Sequence, residues 1–114
     1  MADAVIALEY DPSDPDSRDQ WWRWLNILKP PRIFRVRTFE CASLELCWVA
    51  AGNLAGYLHP SDHAWDMAAG GLVAREAGCD VFSADWQPWD PLGRGIVATA
   101  PEVAAELMPV LQAR

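Results

Sequence analysis

Apolar residues along this chain recur at two spacings, and the two alternate. Residues 4–10 form a short β-prone run bounded by turn chemistry, which predicts a strand. From 18 to 28, Trp21, Trp24, Leu25 and Leu28 fall at i, i+3, i+4 and i+7. That spacing predicts an amphipathic helix with a tryptophan-rich core face, ended by Pro30 and Pro31. Residues 33–37 alternate apolar and basic, as a half-exposed strand does. Residues 40–51 carry one internal charge, Glu45, and are otherwise apolar nearly all round, so a helix there is expected to be buried on most sides. Gly52 and Asn53 supply its C-cap. Residues 54–58 read as a buried strand. A helix of small residues opens at Asp66 and stops at Gly78. Residues 79–82 form a strand, 84–93 a loop, 94–99 another strand. Pro101 stands at the first position of a final helix to Gln112. The alternation predicts one α/β domain over residues 1–114, with a mixed or largely parallel sheet flanked by helices.

Composition narrows the role. The chain has 114 residues, 52% of them hydrophobic, enough for one packed core. A formal net charge of -7 argues against a nucleic-acid or anionic-membrane surface as its main role. No run approaches the roughly 18 apolar residues of a membrane span. The beginning, Met1-Ala2-Asp3-Ala4, has neither the basic nor the apolar region of a signal peptide. Three cysteines without paired spacing fit a reducing cytoplasm. All three are expected to be small buried hydrophobes.

Candidate chemistry gathers between Tyr57 and Gly71. Asp66 at a helix start reads first as a cap, favoured by the helix dipole and free N–H groups. The sharper reading is a carboxylate presented to a metal. His59, Asp62, His63 and Asp66 stand at i, i+3, i+4 and i+7, so on a helix they would share one face and could take zinc or manganese. The bland alternative for these four is a polar loop. No serine has a base at a recognisable spacing, and no Gly-rich phosphate loop is present.

Trp65-Asp66-Met67-Ala68-Ala69-Gly70, followed by Glu76-Ala77-Gly78, resembles the "WDxAAG…EAGG" signature of the inositol monophosphatase family. Upstream, the run from Cys41 to Gly52 resembles that family's "GSAALDLCxVAAG" segment at fitting distance. The likeness extends from about Ile33 to Leu111 and covers the C-terminal half of such an enzyme. It implies a magnesium-dependent phosphatase acting on a small phosphorylated substrate. It makes Asp66 a metal ligand and places Cys41, Ala42 and His59 beside the substrate. Glu40 and His59 stand where inositol-preferring members carry glycine and glutamate, which argues against inositol phosphate specificity.

In that family the remaining metal ligands come from an N-terminal half with a "DPxDGT" motif. Asp11-Pro12-Ser13-Asp14 is superficially alike, but Pro15 and Asp16 replace the glycine and threonine that cradle phosphate. Proline has no N–H to donate and a carboxylate repels phosphate, so a turn and helix cap is expected there. The metal-binding half is thus expected to be absent and the chain inactive alone, a fragment or one half of a split enzyme. Its partner would then be that half or a further copy of itself. The alternative is a non-catalytic α/β binding domain. The resemblance further implies Trp65 packed beneath Asp66, buried Ala68, Ala69 and Gly70, and Ala42 lining the same cleft. Exposed apolar surface is expected around Trp21–Trp24 and Trp86–Trp89.

Overall fold

The computed structural model describes residues 1–112. Its elements, in order, are β1 (Val5–Leu8), α1 (Pro15–Leu28), β2 (Arg35–Arg37), α2 (Ala42–Ala50), β3 (Gly56–His59), α3 (Ala64–Glu76), β4 (Asp80–Phe82), β5 (Ile96–Thr99) and α4 (Pro101–Gln112). The five strands make one sheet in the order β2-β1-β3-β5-β4. β1 pairs in parallel with β2 and β3, while β5 is antiparallel to β3 and β4. The expected mixed α/β layer is what forms.

Strand alternation divides the core in two. Ile6, Leu8, Leu58 and Val97 point to one face and meet Trp24 and Leu28 of α1 and Val103 and Leu107 of α4. Ala7, Tyr57, Ile96 and Ala98 point to the other and meet Leu46 and Val49 of α2 and Met67 and Ala74 of α3. Successive residues of one strand thus serve opposite layers, the period-two rule that fixes register wherever both faces are covered.

Local chemistry sets the helix ends. Asp14 caps α1, its Oδ1 accepting the N–H groups of Asp16 at 3.0 Å and Ser17 at 3.3 Å. That is the turn-and-cap reading of the Asp11–Asp14 segment, and the helix begins at Pro15, three residues before the expected start at residue 18. Pro101 is the first residue of α4, and Gly78, at φ +94°, ends α3 in the left-handed conformation a C-cap favours.

α2 and α3 depart from expectation on their outer sides. In α2 only Glu45, Leu46 and Val49 are buried. The inward stripe of α3 is Met67, Gly70, Gly71 and Ala74, the i, i+3, i+4, i+7 set. Gly70 is therefore buried as expected, whereas Ala68 is half-buried and Ala69 exposed. Trp65 falls on the outer side too. It is 80% exposed and does not lie beneath Asp66. Cys41 and Cys47 are exposed and Cys79 half-buried, so the cysteines are not the buried hydrophobes their residue type predicts. Leu44, Leu72 and Val73 are exposed on these same two helices. Of the tryptophan segments, Trp24 and Trp89 are buried and Trp22 is exposed, so the open apolar surface lies mostly elsewhere than at Trp21–Trp24 and Trp86–Trp89.

Candidate functional site at the carboxyl edge of the sheet

Three helices start at one edge of the sheet. α1 follows β1, α2 follows β2 and α3 follows β3, and these strands are mutually parallel. β1 has β2 on one side and β3 on the other, so the order of the strands turns back at β1. The crevice outside the carboxyl ends of β1 and β3 is the switch point where open α/β sheets hold ligands.

Several polar side chains meet there. Asp11, after β1, lies 3.9 Å from Nε2 of His63, the residue preceding α3. Arg94, before β5, places Nη2 3.7 Å from Asp14 and 4.0 Å from Asp11. The same guanidinium donates to the Ser61 carbonyl at 3.0 Å. Ser61 Oγ donates to Ser17 Oγ at 2.7 Å, and Ser17 Oγ accepts the Asp11 N–H at 3.0 Å, tying β1, α1 and the β3–α3 turn together. Gly95 permits the close approach. Its φ is +81°, and a Cβ there would stand 2.6 Å from the Pro60 carbonyl oxygen.

Burial tunes the titratable groups. Tyr57 donates its hydroxyl to Asp62 Oδ2 at 2.8 Å, both residues buried. Burial raises the Asp62 carboxyl to about 6, although the Tyr57 hydrogen bond favours the ionised form. Burial and the nearby Asp62 hold the Tyr57 phenol far above its ordinary range, so it remains a donor. His59 Nε2 lies 3.9 Å from Asp62, and its Nδ1 accepts the Ser61 N–H at 3.1 Å. Burial lowers His59 to about 4, so it is a neutral acceptor at pH 7. Hydrogen bonds from Ser13, assisted by His63 and Arg94, lower Asp11.

His59, Asp62, His63 and Asp66 do not share a helical face. His59 ends β3, Asp62 lies in a turn, and α3 begins only at Ala64 with His63 as N-cap. Pro60 keeps this segment out of the helix. Asp66 consequently sits within the first turn of α3 and is not its cap, with its side chain exposed. Trp65 stacks on His63 instead, ring centroids 4.3 Å apart at 8°. Cys41 is the N-cap of α2, without a side-chain cap bond, and Ala42 its first residue. Both belong to the same sheet edge as Asp66.

Magnesium requires several oxygen ligands in near-octahedral array. Among the described residues no three His, Cys, Asp or Glu side chains are grouped to hold a metal ion. The described residues therefore do not by themselves fit a magnesium site. Asp66 offers one carboxylate. The Asp11–Arg94–Asp14 cluster, legible in the sequence only as a turn and a strand start, has both carboxylates already facing Arg94.

The model of the inositol monophosphatase family matches residues 5–113. The chain belongs to the inositol monophosphatase family. It is 42% identical over 82 residues to "Inositol-1-monophosphatase SuhB" of Mycobacterium tuberculosis, a match spanning 72% of this chain and 28% of that protein. A solved structure of Mycobacterium tuberculosis SuhB superposes with a TM-score of 0.80 at 34% identity, covering 97% of this chain and 42% of that one. "Nus factor SuhB" of Pasteurella multocida is 38% identical over 76 residues, 67% of this chain and 28% of that protein. The chain thus spans less than half the length of these relatives. The family expectation from the two sequence segments holds, and so does the fold it implied.

Proposed function

We propose that this chain forms the C-terminal domain, a fragment or split half, of an inositol-monophosphatase-like phosphomonoesterase acting on a small phosphorylated substrate, and that it has no turnover alone. The observation that carries the reading is the switch point between β1 and β3, where the starts of α1, α2 and α3 open at one edge. Helix N-termini favour anions, and α2 and α3, whose N-caps make no side-chain cap bond, suit a phosphate ester. Asp66 contributes one carboxylate to a divalent-metal site, magnesium by family resemblance. Its other ligands come from a metal-binding portion outside the residues described here, whether continuous with this sequence or separate. Cys41 and Ala42 border the substrate from α2, and His59 borders it from β3.

The outer faces of α2 and α3 support the requirement for a second portion. Leu44, Leu72 and Val73 are 44%, 40% and 48% exposed. Helices that are apolar on both sides are ones that another protein surface covers. The same exposed apolar faces also fit a second reading, a non-catalytic α/β domain that binds a partner. The two part in one experiment. The purified chain is mixed with the part of the Mycobacterium tuberculosis enzyme that it does not cover, and phosphate release from a generic phosphomonoester is followed with magnesium. A complex that releases phosphate supports the first reading. A stable complex without turnover supports the second.

A further inference from the structure

Two buried glutamates meet under the turn that leads into α2. Glu9 follows β1 and is 5% exposed, and Glu45 lies in the first turn of α2 with no exposure at all. Glu9 Oε2 accepts the N–H groups of Phe39 at 2.8 Å and Glu40 at 3.2 Å. Glu45 Oε1 accepts the N–H of Cys41 at 2.9 Å. The turn they hold is strained, with Glu40 at φ +59° in the left-handed region that side chains disfavour. Without the two carboxyls, three consecutive N–H groups would lose their acceptors.

The second oxygen of Glu45 decides the protonation. Oε2 is buried and no donor reaches it. None of the ion pairs among the described residues includes Glu9 or Glu45. From β1 the facing group is Glu9, and from β3 it is Tyr57, whose hydroxyl is committed to Asp62. An ionised carboxylate oxygen stranded in this way is costly. Protonated, it becomes a donor, and the Glu9 carboxyl that faces it is the available acceptor.

We propose that Glu45 is a neutral carboxylic acid at pH 7, sharing its proton with the Glu9 carboxylate, and that this pair is the positioning device for residues 39–41 and the start of α2. Burial first, and Glu9 second, raise the Glu45 carboxyl to about 9, outweighing the Cys41 N–H, which favours the charge. The proposal concerns this chain alone and stands apart from the phosphatase reading.

Unfolded Glu45 loses its proton near pH 4.5 and folded Glu45 near 9. The stability it supplies is complete below about 4.5 and is lost as pH rises to about 9. The direct test is the 13C carboxyl resonance of Glu45 in the folded, reduced chain titrated from acid to pH 10. A midpoint near 9 is expected, and an ordinary midpoint of about 4.3 overturns the proposal. In the Glu9→Gln variant the Glu45 midpoint should move down, and an unmoved midpoint refutes the sharing. Glu45→Gln keeps an acceptor for Cys41 and a donor for Glu9. Relative to this variant, the wild-type folding constant should fall by up to about tenfold per pH unit between 5 and 9. Parallel curves contradict the proposal, and if the variant does not fold, the two resonance titrations decide.

Discussion

The Tyr57 hydroxyl donates to Asp62 at 2.8 Å, and this one bond ties β3 to the turn that starts α3. Both groups are buried, so neither has water as a substitute. Tyr57→Phe removes the donor and leaves the Asp62 carboxylate short of a partner. The cost should be about 1.5–3 kcal/mol at pH 8, where Asp62 is ionised. It should shrink below pH 6, because burial raises the folded Asp62 to about 6 and the protonated acid has less need of a donor. Urea unfolding of the two proteins at pH 8 and pH 5 measures the difference.

His59 should titrate in the opposite sense. Its folded value is lowered to about 4 against an ordinary 6.5. The folded state therefore binds fewer protons than the unfolded state between those values. The stability that His59 supplies is present above pH 6.5 and lost as pH falls toward 4. An imidazole NMR titration should show His59 neutral down to about pH 5. His59→Asn should remove this acid-side loss, seen as a smaller drop in melting temperature from pH 7 to pH 4.5.

Gly71 faces the ring of Trp89, which is 6% exposed, and a Cβ on Gly71 would overlap that ring. Alanine favours a helix over glycine by about 1 kcal/mol, but overpacking a rigid aromatic costs about 1–3 kcal/mol. Gly71→Ala should therefore lower the melting temperature in a thermal scan. Gly78→Ala meets nothing within 4 Å, but its φ of +94° makes it destabilising for a backbone reason.

The order of elements was legible because each carries its own period. Trp24 and Leu28 announce α1, and the alternation about Val36 announces β2. The start of α3 was missed by two residues because its N-cap, His63, makes no side-chain cap bond that a sequence pattern would reveal. The exposure of Cys41, Cys47 and Trp65 was missed for another reason. The outer sides of α2 and α3 are as apolar as their inner sides, so residue type cannot tell covered from open. Asp66 was marked by the residues around it. Arg94 was not marked, because Asp11 and Asp14 reach it only through the fold. The burial of Glu45 had one local sign, a lone charge inside an apolar helix.

Arg94 holds three partners at the candidate site while half exposed. Such a pair network contributes little in salt solution, so Arg94→Ala should cost about 0.5–1 kcal/mol, and less as ionic strength rises. Melting curves at low and high salt measure it.

Asp66 is exposed in the first turn of α3, so replacing it should cost no more than the dipole term of about 0.3–1 kcal/mol. Its importance should appear only in catalysis. The most direct measurement is phosphate release by the reconstituted two-part enzyme with magnesium, comparing wild-type chain with Asp66→Asn. This chain alone should show no turnover, the complex should release phosphate, and the variant should lose nearly all of that activity while the complex still forms. Equal rates for the two complexes, or phosphate release by this chain alone, would contradict this reading.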